Sequence, residues 1–463
     1  MFTRAPDSSA RNFLYSSIFW LVLGTTFLAV GLGKLILPEA LSNPAMSYPR
    51  LMASGSILLQ YGFLTMASLA GVFFITPRLV GVQIRSEIAG QLAALLLNVT
   101  VLMGVTLTLF GGVADHQFSE LPPYLDLVVV LALVICLAVV VGTVRKSVEE
   151  RLYVSLWYFI GGLVWAPLGI AAGNLHPYEG VADSIAHLFG LNATTHLFFG
   201  AIGIGVILYI IPRAGGGTLW SERVGLVGFW VLAFAGPLAG QGRAVLGPGP
   251  DWLETISISA SIALLVVVLT TVANVMGSLR DSWTKLSGLP SVRFLLGGTA
   301  LWTVAMVQGS LQPIRSLSSN LGTTSAIEGQ VWLALLAYSV WAVGSITFAF
   351  PKLQGRKWLA STTLSTSFWL GFLGAAMAGG AFLVAGLVES SVWSAGTALQ
   401  SPLNLGEGFQ VVLAATKPLR IAVVAGFVTF AVAQWMFATA LFRSTTSGDR
   451  TPVEVVVPKE LVP

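Results

Sequence analysis

The stretch SYPRLMASGSILLQYGFLTMASLAGVFFITPRL, residues 47–79, contains an apolar run at 53–76 that decides the class of the molecule. About twenty apolar residues, each rising about 1.5 Å in an α-helix, cross the ~30 Å hydrocarbon core of a bilayer. Outward from this stretch, similar runs recur at roughly 13–37, 90–111, 122–143, 153–173, 194–212, 224–246, 256–278, 294–312, 327–350, 363–387 and 421–442. They are too long, and too rich in Leu, Val and Gly, for the alternating strands of an outer-membrane barrel. In lipid every backbone polar group needs an internal partner, which leaves helices as the remaining choice.

Composition agrees. Of 463 residues, 55% are hydrophobic and 10% charged, against roughly a quarter charged in soluble domains. Mean hydropathy is +0.83. The expected architecture is an all-α membrane protein of about twelve transmembrane helices: one polytopic domain over 1–463, its helices within about 13–442 and a polar cytoplasmic tail at 443–463. The longest expected loops, near 174–193 and 388–420, lie outside. The first run is longer than the apolar part of a secretory signal and lacks a small-residue cleavage site, so it reads as an uncleaved anchor.

With the N-terminus inside, only six of the 24 Lys and Arg residues fall outside: Lys34, Arg50, Arg243, Arg315, Lys417 and Arg420. This asymmetry sets the expected orientation, with both termini cytoplasmic. The net charge of +4 is spread over the inner segments and forms no patch, which argues against a nucleic-acid partner. The lone Cys136, in mid-helix, reads as a small buried hydrophobe. The glycines of GAIGIG, residues 200–205, lie inside an apolar helix with no strand before them, and so read as packing positions.

Three blocks, taken in order, resemble subunit I of the haem-copper oxidase superfamily, closest to the cbb-type cytochrome c oxidases and the nitric oxide reductases. The first is the opening stretch, with Arg50 and an inner Pro-Arg exit. The second runs from RLYVSLWYFIGGLVWA, residues 151–166, through LFFGAIGIGVILYIIPRAGG to LWSERVGLVGFWVLAFAGPLAGQGRAVLGPGPDW, ending at Trp252. The third is MVQGSLQPIRSLSSNLGTTSAIEGQVWLALLAYSVWAVGSITFAFPKLQG, residues 306–355. The resemblance implies a bundle holding a low-spin haem, a high-spin haem and a copper or iron, together reducing oxygen or nitric oxide.

Such chemistry uses six histidines, and this chain has four. By alignment to the family, the second-helix ligand of the low-spin haem falls at Gly55. The first copper ligand falls at Asn192, counting back from Pro212, and the paired copper ligands at Gly242 and Arg243. The cross-linked tyrosine falls at Gly236 and the ninth-helix glutamate at Gln308. The tenth-helix haem ligands fall at Gly329 and Val331, counting back from Pro351. A cationic arginine repels a metal, and no other side chain here replaces six imidazoles. No catalytic, cofactor or metal residue is therefore expected.

Three histidines, His116, His176 and His187, fall in or beside outer loops. His196 lies one helical turn from Asn192 and reads either as a helix-end histidine bonded to a loop or as a displaced metal ligand. Arg50 and Arg243, weak cofactor-binding candidates, read with Lys34, Lys417 and Arg420 as side chains snorkelling to the interface. The alternatives are a retained salt bridge or a bound anionic lipid head group.

The expected function is that of a haem-free, copper-free structural or docking subunit of a membrane electron-transfer complex. Its partners would be lipid and other membrane subunits, cytochrome-bearing ones above all. Two alternatives stand beside it: an active or partly active oxidase with unusual haem ligation, and a proton or solute pathway.

Overall fold

The computed structural model describes residues 2–39, 42–111, 118, 120–174, 179–280, 283–359, 361–398 and 405–452. Among these residues, twelve helices are long and apolar enough to cross a membrane. They are α1 (Ser8–Gly33), α2 (Tyr48–Val80), α3 (Glu87–Phe110), α4 (Pro123–Val144), α5 (Val154–Asn174), α6 (Val181–Ala214), α7 (Glu222–Ala244), α8 (Asp251–Leu279), α9 (Pro290–Leu311), α10 (Ser325–Gln354), α11 (Ser361–Ala395) and α12 (Phe409–Ser447). The chain is a many-span helical membrane protein.

The expected cores of the spans are right and several ends are not. α6 begins at Val181 rather than near 194, because VADSIAHLFGLN carries Asp183, Ser184 and His187 on an otherwise apolar helix. The helix that carries α12 begins at Leu405, ahead of Lys417 and Arg420. The expected loops at 174–193 and 388–420 are thus largely helix, since charged residues lower hydropathy without breaking a helix. The helix also runs through Arg443 to Ser447, so the tail starts later than 443, and residues 453–463 lie outside the described residues.

Three helices form the centre. In α2, α6 and α10, 94%, 83% and 89% of the most apolar stretch is buried inside the protein, against 39–61% in the other nine. A helix apolar all round and covered on every side is a core helix, whereas the outer ones turn side chains such as Phe234 and Leu269 to the lipid. All three central helices leave the membrane through a shared device. In TPRLVG and FPKLQG, Gly81 and Gly355 turn left-handed at φ +70° and +64° and donate their N–H to the Pro77 and Pro351 carbonyls. In IPRAGG, Gly217 N–H does the same to Pro212. The basic residue in the last turn complements the helix dipole.

These exits lie at one end of the bundle, together with the chain's beginning and the last turn of α12. Arg78 pairs with Asp7 at 2.9 Å and lies over the Phe74 ring, while Lys357 N–H donates to the Asp449 carbonyl. The opposite end is tied by Arg50 Nη1 to the Leu109 carbonyl at 3.1 Å and by Ser325 N–H to Glu389 at 2.7 Å. Even-numbered and odd-numbered helices therefore run in alternate directions.

The central helices are wedged apart by aromatic rings resting on glycines. Trp341 of α10 is held between Gly203 of α6 and Gly298 of α9, while Gly205 abuts Phe159 and Gly200 abuts the Tyr338 hydroxyl. Gly203→Ala or Gly298→Ala puts a methyl group into the indole. Each is expected to lower stability by roughly 1–3 kcal/mol. Gly380→Ala, where the methyl would meet nothing within 4 Å, is expected to leave stability unchanged. Thermal unfolding in detergent checks this, and equal midpoints for all three variants would contradict the wedge.

Candidate functional site

Two stretches of the central helices widen into π-helical turns, Leu58–Leu64 in α2 and Ala193–Gly200 in α6. Such turns are uncommon and often mark functional positions. Here they stand next to Gly55 and Asn192, the positions that the resemblance assigns to metal ligands in these two helices.

The α6 turn opens on a cavity of about 40 Å³ shared with α7, α8, α9 and α10. Asn192, His196, Gly242, Arg243, Ser310 and Gln330 face it. Asn192 donates through Nδ2 to the Gly236 carbonyl at 2.6 Å, bridging two of the assigned positions and binding α6 to α7. Arg243 donates through Nη2 to Gln330 Oε1 at 3.1 Å, and Gln330 Nε2 donates on to the Ala305 carbonyl at 3.3 Å. His196 Nδ1 and the Tyr338 hydroxyl share a hydrogen bond of 3.0 Å.

Two expectations are corrected by this geometry. His196 is no helix-end residue bonded to a loop: α6 continues past it on both sides, and its partner is a tyrosine of α10. Arg243 does not snorkel, because the chain turns at Gly240–Ala244 and points it at α10, where it lines the cavity. Arg50, by contrast, reaches the Leu109 and Pro44 carbonyls at 3.1 and 3.2 Å, a backbone tie between α2 and α3.

The other assigned positions serve packing. A methyl group on Gly55 would meet Leu28 of α1 at 2.7 Å, and one on Gly242 would meet Pro313 at 2.6 Å. Gly236 abuts Leu197 and Gly329 abuts Phe382 of α11. Val331 is buried in the apolar core, and Gln308 donates to the Ala326 carbonyl at 2.9 Å. Counting from Pro351 thus lands on residues turned elsewhere, and Gln330 between them is the one that faces the cavity. A buried Gln and a Tyr inside the apolar run of α10 were the available signals for Gln330 and Tyr338. Of the remaining histidines, His187 lies on α6, and His116 and His176 lie outside the described residues.

Between α2 and α10 the space is filled by side chains. Phe118 meets Trp332 edge-on with centroids 5.0 Å apart, and Trp332 meets Phe427 of α12 edge-on at 5.4 Å. Trp332 donates its indole N–H to Glu328 at 3.2 Å. Closer to α6 and α9, Trp302, Trp341 and Tyr338 lie ring against ring at 5.2 and 5.7 Å, beside a cavity of about 20 Å³. Among the described residues, no three His, Cys, Asp or Glu side chains gather to hold a metal.

Phe118 is set in place by Glu120 and Gln60. Its N–H donates to Glu120 at 2.8 Å, and its carbonyl accepts from Gln60 Nε2 at 3.3 Å. Glu120, in the connection between α3 and α4, is buried, and burial pushes its carboxyl up to about 7. Between pH 4.5 and 7 the folded chain therefore holds a proton that the unfolded chain has lost. Stability is full below about 4.5 and falls as pH rises through 7, by about 3 kcal/mol for this group. Glu120→Gln is expected to flatten that part of the stability–pH curve, and unfolding midpoints from pH 5 to 8 check it. An unchanged slope would assign the pH dependence to other groups.

With this geometry established, comparison with known proteins adds the following. Residues 8–428 match the family described as cytochrome c and quinol oxidase polypeptide I. Cytochrome c oxidase subunit 1 of Rhodobacter capsulatus is 23% identical over 98% of this chain and 88% of its own length. A cytochrome c oxidase subunit 1 homolog of Agrobacterium tumefaciens (strain T37) is 23% identical over 84% of this chain and 74% of its own. The Cbb3-type cytochrome c oxidase subunit CcoN1 of Stutzerimonas stutzeri is 24% identical over 64% of this chain and 65% of its own.

Proposed function

This chain belongs to the cytochrome c and quinol oxidase polypeptide I family, and we propose that within it the chain works as a haem-free, copper-free scaffold, a structural or docking subunit of a membrane electron-transfer complex. Its partners in this reading are cytochrome-bearing membrane subunits and lipid. The membrane is a bacterial inner membrane with both termini cytoplasmic, a reading supported by the concentration of Lys and Arg in the connections on that side.

The observation that carries the proposal is volume. A haem needs a flat slot open on both faces of the ring and a nitrogen or sulfur donor above it. Between α2 and α10 that slot is taken by Phe118, Trp332 and Phe427, and beside α9 by Trp302, Trp341 and Tyr338. The cavity beside His196, about 40 Å³, has room for about three waters. Donors are also wanting, since Gly55, Gly242, Gly329 and Val331 offer none and Arg243 brings a positive charge. The family's haems and metal do not fit the residues present.

The rest of the molecule has kept what a scaffold needs. Intact Pro-basic exits, caps and glycine-on-aromatic contacts preserve a folded bundle, while the outer helices keep broad apolar faces for lipid or for other helices. Unusual haem ligation in the centre of the bundle would fall to His196 Nε2, and the cavity of about 40 Å³ beside it leaves no room for a macrocycle. It is the weaker reading on that ground.

Affinity purification of the tagged chain from its native membranes in mild detergent tests the proposal. The expected result is a fixed ratio of cytochrome-bearing subunits, visible by haem staining of the co-purified bands. A chain isolated alone, stable and without cytochrome partners, would overturn the docking role.

A further inference from the structure

Arg243 brings a full positive charge into the bundle without an acidic counterpart. Among the described residues, no carboxylate lies within ion-pair distance of its guanidinium; its hydrogen bond goes to the neutral amide of Gln330. The acids on adjoining elements are committed elsewhere. Glu254 accepts from Leu246 N–H at 2.7 Å and pairs with Arg315 at 3.6 Å, and Glu328 accepts from the Trp332 indole. A guanidinium drawn from water into a protein interior is costly unless a compensating charge or a full set of acceptors meets it.

The cavity walls hold donors as well as the amide oxygens of Asn192 and Gln330, the latter already accepting from Arg243. Besides Arg243, Ser310 lines the cavity; it is 1% exposed and its Oγ has no hydrogen-bond partner. Ser261 and Asn192 also line it. The Asn192 amide already donates to Gly236 and the Ser261 hydroxyl to the Ala239 carbonyl at 3.4 Å. At about 40 Å³ the space suits one ion of halide size with a water or two, and it excludes a phosphate-bearing lipid head group.

We propose that this cavity, lined by Arg243 and Ser310 among α6, α7, α8, α9 and α10, is a binding site for a small monovalent anion of halide size. The anion neutralises the guanidinium and accepts the Ser310 hydroxyl, so that charge ties α7 to α9 where the family would use a metal. The charge-assisted contact to arginine supplies most of the affinity and the hydroxyl a smaller share. Access is from the membrane surface, since Arg243 and Pro313 stand where α7 and α9 end.

The inference rests on the haem-free reading, because a macrocycle in this position would remove the cavity. The test is therefore run on the purified full chain whose haem absorbance is measured first; a haem band would count against that reading, independently of any response to anion. Thermal unfolding is followed while sodium chloride, and separately sodium bromide, replaces sodium gluconate at constant ionic strength and pH. The expected result is a saturable rise of the midpoint, weakened more than about tenfold in half-saturation by Arg243→Gln and roughly fivefold by Ser310→Ala. Bromide-soaked crystals are expected to give an anomalous peak within hydrogen-bond distance of Arg243 and Ser310. Should Arg243→Gln fail to fold, Ser310→Ala and the anomalous map decide. No saturable response in the unaltered chain, an undiminished response in Ser310→Ala, or a map without that peak would overturn the proposal.

Discussion

The structure depends on one constraint: three helices, α2, α6 and α10, are covered on nearly all sides, and whatever lies between them must be filled. Lipid does not reach there, and an apolar void forfeits the contacts of its walls and costs stability in proportion to its volume. Here filling is done by indole and phenyl rings set against glycines. Trp341 is received by Gly203 and Gly298, and Trp332 is enclosed by Phe118 and Phe427. The small residue on one helix and the large one on the next form a single solution, because a methyl group on the glycine would meet the ring.

Polar groups inside the bundle follow the same logic. Asn192, Gln308 and Gln330 each donate to a backbone carbonyl on a neighbouring helix, and His196 shares its hydrogen bond with Tyr338. An amide or hydroxyl between helices needs such a partner, since water is scarce there. The result is a lattice of short-range ties at and beside positions that the family resemblance assigns to catalysis. Arg243 is the member of this lattice whose charge is not balanced by a carboxylate.

Much of this was legible in the sequence. The twelve apolar runs fix the helices, and Pro77, Pro212 and Pro351, each followed by a basic residue, fix where three of them end. The outer ends were not legible, because Asp183, His187 and Lys417 lower the hydropathy of segments that remain helical. Alignment to the family reached Asn192 and Arg243, which do line one cavity with His196. It missed Gln330 and Tyr338, since the direction of a side chain on a helix turns by about 100° per residue and an offset of one residue turns it away from the site. Nor could alignment foresee that Arg243 turns inward at Gly240–Ala244, which depends on a tertiary contact with α10.

The central claim is that side chains have taken the place of the haems and the metal. It is tested most directly by the haem, iron and copper content of the chain, expressed in a host that matures haem-copper oxidases and purified with its partners removed. The account predicts no haem bands in the reduced-minus-oxidised absorption spectrum, with iron and copper far below one atom per chain. One haem per chain, with its iron, would contradict it.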